Sequence, residues 1–311
     1  MEKIMEKLAL PQEAVFGVRV IPAPEVMRII SHEDPTGSDA GTDYYLPKNK
    51  YMVVAEHGWR GSHTKIYNFV SNRYKPLDYS YINNSVNDVL LRTLNQNILN
   101  NMIVKDYIAS DKSRMKRRII FPTMTIEPQV NDIVRYGLEW STSLNSTWAF
   151  NNMALADRLW CLNGCTTPDF HYHSYQKHTT NISLDKEASK MSNAIDSFYN
   201  SESKYKTWSR HKVVDESALQ VFKDLASYKT NAMEETYSKK LVSELVYDWG
   251  VNKRSLGSTL WNLYNVLTAW ASHPKSKGDV HNIMRNRNTK VSNTLTSDIW
   301  RELEDNAKIT H

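Results

Sequence analysis

The sequence predicts an α+β protein with an antiparallel sheet in the N-terminal half and a helical C-terminal half. Short β-branched and aromatic runs, separated by Gly, Pro and Asn, are concentrated in residues 50–75 and 117–165, which is typical of strands joined by turns. From residue 184 onward, apolar residues recur every three or four positions, as they do in amphipathic helices. Strands followed by helices favour an α+β fold over alternating βαβ units.

Three segments follow from this change in pattern. The first, residues 1–50, is expected to be an N-terminal arm or irregular cap, because prolines interrupt any long periodic pattern of apolar residues. These prolines are Pro11, Pro22, Pro24 and Pro35. Residues 51–180 are expected to form the antiparallel sheet with one long helix, and residues 181–311 a helical region packed on the sheet. The three segments are compatible with one single domain.

Local patterns predict the elements of the sheet region. Two runs, YMVVAEHGW and KIYNFVSNRY, are strand-like. A spacing of four residues then predicts one long helix within SVNDVLLRTLNQNILNNMI, with a buried stripe formed by Val86, Leu90, Leu94, Ile98 and Met102. Four more strand-like runs follow: RRIIFPTMTIEP, IVRYGLEWSTS, STWAFNN and DRLWCLNG. They indicate an antiparallel meander with a basic loop at its entrance.

Apolar stripes predict the helices of the C-terminal half. The first two stripes are Leu184, Ala188, Met191, Ile195 and Phe198, and then Leu219, Phe222 and Ala226 with Asp215 as the expected cap. A third, broad stripe lies within SLGSTLWNLYNVLTAWAS and is stopped by Pro274. The last helix is predicted from Val291, Leu295, Ile299 and Leu303.

Composition excludes several classes of protein. With 41% hydrophobic and 11% aromatic residues, the chain of 311 residues can form a core, and it has no apolar run long enough for a membrane span or a signal peptide. Its two cysteines fit a reducing compartment. Phosphate-loop, dinucleotide-binding, zinc-protease and serine-hydrolase motifs are absent from the sequence. We therefore expect a cytoplasmic protein that is not an enzyme and has no cofactor. A nuclease site formed by carboxylates from several elements is an alternative that the sequence does not exclude.

Positive charge is unevenly distributed although the formal net charge is only +5. One cluster runs from Lys105 to Arg118, and another surrounds Trp208. Cations beside aromatic residues suit single-stranded nucleic acid, because phosphates are neutralised while bases stack. The predicted nucleic-acid-binding residues are Lys112, Arg114, Lys116, Arg117, Arg118, Arg135, Trp140, Trp148, Lys204, Lys206, Arg210 and Lys212.

Both cysteines lie in RLWCLNGCTTPDFHYH, which raises the question of a metal site. Cys161 and Cys165, with His171 and His173, offer four zinc ligands, but the second pair follows much sooner than in structural zinc knuckles. A disulfide would need an oxidising compartment, and a nucleophilic thiol would need a positioned base. The pattern favours a strand and turn in which Cys161 is buried and metal-free.

Four segments together resemble the domain-of-unknown-function 932 family of phage/plasmid-like proteins. They are FVSNRYKPLDY, RLWCLNG, QKHTTNI and TLWNLYNVLTAWASH, in that order along the chain. The resemblance implies a phage or plasmid origin, and hence the cytoplasm of a bacterial host. It carries no settled biochemistry, so the function has to be argued from the residues.

Two functions are compatible with these observations. The first is a phage-type nucleic-acid-binding protein that binds or anneals single-stranded DNA in phage DNA metabolism. The second is a non-enzymatic interaction factor, such as a virion component or an inhibitor of a host protein, since aromatic residues are enriched at protein interfaces. A homo-oligomer and a host or phage protein partner are compatible with both functions.

Overall fold

A computed structural model describes residues 2–24, 26–29, 42–45, 50–57, 63–158, 166–179, 182–229, 234–275 and 280–309. It confirms the α+β class, with antiparallel strands in the N-terminal half and helices in the C-terminal half. The strands are β1 (Val18–Pro22), β2 (Val26–Ile29), β3 (Thr42–Tyr45), β4 (Tyr51–His57), β5 (His63–Val70), β6 (Ile103–Ile108), β7 (Arg114–Gln129), β8 (Asp132–Ser143), β9 (Phe150–Arg158), β10 (Thr166–Gln176), β11 (Ser227–Lys229) and β12 (Glu235–Tyr237). The α-helices are α1 (Glu2–Leu8), α2 (Tyr79–Thr93), α3 (Gln96–Asn101), α4 (Leu184–Arg210), α5 (Asp215–Leu225), α6 (Lys239–Leu256), α7 (Leu260–Ser272), α8 (Val280–Thr294) and α9 (Asp298–Ile309).

The strands predicted for residues 50–75 and 117–165 lie in two different sheets. Strands β6 to β10 form a five-stranded meander in which chain neighbours are also sheet neighbours. Strands β1, β4 and β5 form a second, antiparallel sheet. The tightest connection of the meander is the two-residue turn between β7 and β8, where Asn131 has a φ of 65°. Asparagine tolerates this left-handed conformation better than most residues.

The chain divides into two compact units, each assembled from separate segments. Unit 1 consists of Met1–Ile119, Glu139–Asn152 and Ser174–Met191, and unit 2 of Ile120–Leu138, Met153–His173 and Ser192–His311. Long elements such as β7, β8 and α4 contribute residues to both units. For this reason neither unit corresponds to one continuous stretch of sequence.

The N-terminal 50 residues contain more regular structure than the prolines suggested. Helix α1 buries Ile4 and Leu8, and β1 pairs with β4. Two asparagines of α2 donate their side-chain amides to the carbonyl oxygen of Leu8, Asn83 at 3.0 Å and Asn87 at 3.3 Å. These bonds satisfy a carbonyl that the end of a helix leaves without a partner in its own helix.

The single long helix predicted after residue 85 is wrong, because the chain forms α2 and α3 instead. The break lies at Asn95, whose side chain accepts a hydrogen bond from the backbone N–H of Ile98 at 3.0 Å. An asparagine in this position begins a new helix. The apolar spacing continues across the break, so periodicity alone did not reveal it.

Two predictions about the C-terminal helices are also corrected. Val214, not Asp215, precedes the first turn of α5, and the Asp215 carboxylate instead accepts from Trp249 and Lys253 of α6. The predicted last helix is two helices, α8 and α9, and Ile299 is exposed while its neighbour Trp300 is buried. The change of register at the intervening turn places the tryptophan on the buried face.

An aromatic cluster forms the core of unit 2. Its rings are Tyr205, Trp208, Trp261, Tyr264 and Trp300, and neighbouring rings of the cluster have centroids 4.9–5.8 Å apart. The indole N–H of Trp261 donates to the Asp132 carboxylate at 2.6 Å, and both side chains are buried. Among the helices of the described ranges, none has the length and hydrophobicity needed to cross a bilayer.

We predict that Trp261→Phe lowers the free energy of unfolding more than Trp249→Phe. Both indole N–H groups donate to an aspartate, but Asp132 is 1% exposed, whereas the Asp215 side chain is 65% exposed. Loss of the donor leaves a buried carboxylate without that bond and costs about 1–3 kcal/mol, while water can replace it at the exposed aspartate. Chemical denaturation measures both values, and equal losses would contradict the prediction.

Candidate nucleic-acid interface

Two contacts fix how β6 pairs with β7. The backbone N–H of Ala109 donates to the carbonyl oxygen of Arg114 at 3.0 Å. Further along the pair, the guanidinium of Arg117 binds the carboxylate of Asp106 through Nε and Nη2, each at 2.7 Å. The backbone bond places Ala109 opposite Arg114, and continued antiparallel pairing places Asp106 opposite Arg117, in agreement with their ion pair.

This register brings cations of β7 beside exposed residues of β6. Alternation along β7 places Arg114, Lys116 and Arg118 on one half-buried face, while the intervening residues are buried on the other. By the same register, Tyr107 lies opposite Lys116, and Lys105 lies opposite Arg118. Tyr107 is 47% exposed and Lys105 is also exposed. We call this surface the basic face: Lys105, Tyr107, Arg114, Lys116 and Arg118.

A carboxylate of β8 organises two of these cations. Glu139 accepts from Arg118 Nε at 2.9 Å and Nη2 at 2.6 Å, and the Lys116 ammonium lies 3.9 Å from the same oxygen. Burial lowers the pKa of Lys116; the charge of Glu139 opposes this effect and that of Arg118 adds to it. Lys116 and Arg118 of the basic face therefore share one carboxylate.

The two tryptophans predicted to stack on bases are buried. Trp140 is 1% exposed and Trp148 is 7% exposed. The Arg114 guanidinium lies over the Trp148 ring, 5.2 Å from its centroid, which is a cation–π contact within unit 1. The expectation of an exposed Trp platform is therefore wrong, and Tyr107 is the exposed aromatic side chain of the basic face.

Arg117 is also misplaced by the sequence prediction, because it faces the interior of unit 1. Its side chain is 0% exposed and all of its N–H groups have acceptors. Besides the Asp106 carboxylate, they donate to the carbonyl oxygens of Leu8 and Ala9 and to the side chain of Asn83, at 2.7–2.8 Å. A guanidinium held in this way cannot contact phosphate.

Lys112 and Arg135 occupy different surroundings. Lys112 lies in the β6–β7 loop with a φ of 58°, and its carbonyl oxygen accepts from the Tyr79 hydroxyl at 3.0 Å. Its side chain is half-buried at the end of the basic face. Arg135 is half-buried on β8 in unit 2.

The second predicted cluster belongs to unit 2 and is partly neutralised. Lys204 binds Glu304 at 2.9 Å and lies over the buried Trp208 ring, and Lys206 binds Glu202 one helical turn away at 2.7 Å. Arg210 and Lys212, at the end of α4 and after it, are exposed. The four cations therefore do not form one free surface.

Two of the segments that carry the family resemblance are joined around His178. Tyr74 and Thr179 form an antiparallel bridge, and the Tyr74 ring packs on the imidazole with centroids 5.3 Å apart. His178 Nδ1 lies 3.2 Å from the Lys75 carbonyl oxygen, which can only accept, so Nδ1 carries the proton. Nε2 lies 3.2 Å from the Thr142 hydroxyl. Burial lowers the pKa of His178.

The question of a metal site is not decided by the described residues. Cys161 and Cys165 lie outside them, as do the side chains of His171 and His173. Within the described part of the chain, no group of three His, Cys, Asp or Glu side chains is placed to hold a metal ion.

Fold and site together define an α+β protein with a basic face on a five-stranded meander. The family model described as Domain of unknown function (DUF932) matches residues 68–300, which is more than half of the chain. The chain therefore belongs to this family, as the four resembling segments indicated. The match begins within β5, so α1 and β1–β4 precede it. Neither the curated proteins nor the solved structures gave a match.

Sequence reasoning counted Lys105 in the basic cluster without assigning it to the binding residues, and it missed Tyr107. Both lie in IVKDYI, where residues 103 and 105–107 are exposed on the edge strand β6. The run shows no apolar–polar alternation in the sequence and was treated as the end of a helix and a loop. If this run had been predicted as an edge strand beside the basic strand β7, Tyr107 would have been placed among the cations.

We predict that Arg117→Ala lowers the free energy of unfolding by about 3–5 kcal/mol, because it leaves the buried partners of the guanidinium unsatisfied. Arg117→Lys should recover only part of the loss, since an ammonium cannot reproduce the planar fork. Lys105→Ala, in the same cluster but exposed, is the control and should change stability by less than about 0.5 kcal/mol. Equal effects of Arg117→Ala and Lys105→Ala in urea denaturation would contradict the buried network.

We predict that His178 makes stability fall as the pH drops below about 6.5. Its folded-state pKa is lowered, so below that pH the unfolded chain binds a proton that the folded chain does not. His178→Gln should flatten the dependence of unfolding free energy on pH between about 7.5 and 5.5. The exposed His273, changed to Gln, is the control and should leave the profile as in the parent protein.

Proposed function

We propose that this protein binds single-stranded nucleic acid through the basic face, as a phage- or plasmid-type DNA-binding or strand-annealing protein and not as an enzyme. The observation that supports this is the alternation of β7. It presents Arg114, Lys116 and Arg118 on one face, and the exposed ring of Tyr107 lies opposite the middle cation.

Strand geometry suits this role. Side chains two residues apart on one face of a strand are separated by about 6.7 Å, so the row offers one cation for each of several consecutive phosphates of an extended strand. Stacking of a base on Tyr107 would add about 1–3 kcal/mol, with little dependence on sequence. The pairing of β6 and β7 provides both kinds of contact on a rigid surface.

The main experiment measures affinity for oligo(dT) and for duplex DNA as a function of salt. For a single strand, the slope of log affinity against log salt is about −0.7 per phosphate neutralised. We predict that Lys105→Ala flattens this slope by about 0.7, because Lys105 is an exposed cation of the basic face. Lys240→Ala, an exposed lysine of α6 in unit 2, is the matched control and should not change the slope.

Tyr107→Leu separates stacking from charge in the same assay. It should weaken binding by about 1–3 kcal/mol and leave the salt slope unchanged, because no cation is lost. Tyr81→Leu is its control, since Tyr81 is a similarly exposed tyrosine of α2. If the parent protein binds neither DNA nor RNA at low salt, the nucleic-acid proposal fails.

A protein-interaction factor is the second candidate, and a surface of α6 favours it. Val246, Tyr247 and Val251 are 43%, 72% and 46% exposed and lie within two turns of the helix. Exposed apolar side chains grouped in this way are typical of protein interfaces. A homo-oligomer or a host or phage protein partner would use this surface, and Tyr247→Ser would then weaken association without changing DNA affinity.

A further inference from the structure

A second group of cations lies in unit 1, on the two segments joined at His178. Arg73, Lys75 and Lys177 are all exposed. The segments are held together by the bridge between Tyr74 and Thr179 and by the backbone N–H of Lys75, which donates to the carbonyl oxygen of His178 at 3.2 Å. The cations are therefore carried on a fixed backbone and not on a free loop.

An exposed aromatic side chain, Tyr175, lies two residues before Lys177 in the chain. From Ser174 to Thr179 burial alternates, so that Tyr175, Lys177 and Thr179 are exposed while Ser174 and His178 are buried. Tyr175 is 47% exposed, the same fraction as Tyr107 on the basic face. We call these four exposed residues of the two joined segments the bridge patch: Arg73, Lys75, Tyr175 and Lys177.

The bridge patch carries positive charge that the described structure does not neutralise. Among the described residues, none of Arg73, Lys75 and Lys177 makes an ion pair. Segments 71–77 and 174–179 contain no acidic residue. The next one in sequence, Asp78, caps α2 by accepting from the N–H of Ser80 at 2.7 Å. A surface of this composition attracts a polyanion.

The basic face and the segment that carries Arg73 and Lys75 both contact the chain at the loop of residues 144–149 between β8 and β9. Arg114 lies over Trp148 of the loop. The Tyr74 hydroxyl donates to the carbonyl oxygen of Ser143, the residue before the loop, at 3.3 Å. Both surfaces thus lie in unit 1 at one end of the meander strands.

We infer that a single nucleic-acid strand bound on the basic face continues past the 144–149 loop to the bridge patch. There Arg73, Lys75 and Lys177 neutralise further phosphates and Tyr175 stacks on a base. This inference rests on the proposed function and adds to it a second contact surface and a minimum length of ligand.

The minimum length follows from the sheet. Strands β6 and β10 are the two edges of the five-stranded meander, so four strand spacings of about 4.8 Å, or about 19 Å, separate them. At the phosphate spacing of about 6.7 Å that matches the β7 row, a 3-mer spans only about 13 Å and is too short to cover this distance, whereas a 16-mer exceeds it. Binding at both surfaces requires the longer ligand and gains from the high effective concentration of the second contact.

The test compares a 3-mer and a 16-mer of oligo(dT) for three proteins. They are the parent, the bridge-patch variant Lys75→Ala/Lys177→Ala and the control Lys239→Ala/Lys240→Ala, whose lysines are exposed on α6. With the 16-mer, the bridge-patch variant should lose about 1.4 from the magnitude of the salt slope, two phosphates at about 0.7 each. Its gain in affinity from 3-mer to 16-mer should also be smaller than that of the parent, while the control behaves as the parent does.

Cross-linking identifies the stacked tyrosine directly. A 16-mer that contains bromodeoxyuridine should cross-link to the peptide with Tyr175 on irradiation, and Tyr175→Leu should weaken binding about tenfold. Tyr81 should not cross-link. Thermal unfolding checks that the variants are folded, as expected for exposed positions.

Two results overturn the inference in distinguishable ways. If the parent binds the 16-mer and the Lys105 and Tyr107 variants weaken binding, but the bridge-patch variants behave as the parent, the inference fails and the proposed function stands. If the parent binds no nucleic acid at all, the proposed function fails and this inference fails with it.

Discussion

The burial of one arginine decides which side chains unit 1 presents to solvent. Arg117 has to face inward, because its guanidinium joins Asp106 of β6, Asn83 of α2 and the end of α1 in one network. Since side chains alternate along a strand, Lys116 and Arg118 on either side of it have to face the opposite way. Of the basic residues of β7, Arg117 is therefore structural, while Arg114, Lys116 and Arg118 form a row on the opposite face.

The same network explains why α1 belongs to unit 1 although it precedes the family match. The carbonyl oxygens of Leu8 and Ala9 are acceptors for Arg117, which lies inside the matched range. Without them, two N–H groups of a fully buried guanidinium would lose acceptors, and an unsatisfied charged donor is costly in a low-dielectric interior. The N-terminal segment therefore completes a polar network whose centre lies in the family domain.

The sequence was sufficient for the fold class, most helix faces and the position of the basic cluster, because these depend on periodicity and local composition. It was not sufficient to orient individual residues within the cluster. The segment KRR at positions 116–118 does not by itself indicate which side chains face the interior and which face solvent. The orientation of Arg117 is decided by long-range contacts, because its acceptors come from residues as distant in the sequence as Leu8. The burial of Trp140 likewise depends on long-range packing that no local pattern indicates. The break between α2 and α3 was different, because the capping residue Asn95 could be seen in the sequence, although the apolar spacing continues across it.

Partial burial gives the basic face properties that freely exposed cations lack. Glu139 holds the guanidinium of Arg118 through two hydrogen bonds, so that cation is already oriented before a ligand arrives and loses little side-chain freedom on binding. Lys116 has lost part of its hydration, which is why its pKa is lowered, and a phosphate oxygen beside it would replace the missing solvation. Charges at this depth also interact through a lower effective dielectric than charges in water. Under the proposed function, a phosphate would meet partly desolvated cations in the β7 row, whereas Lys206 of α4 is more exposed to water.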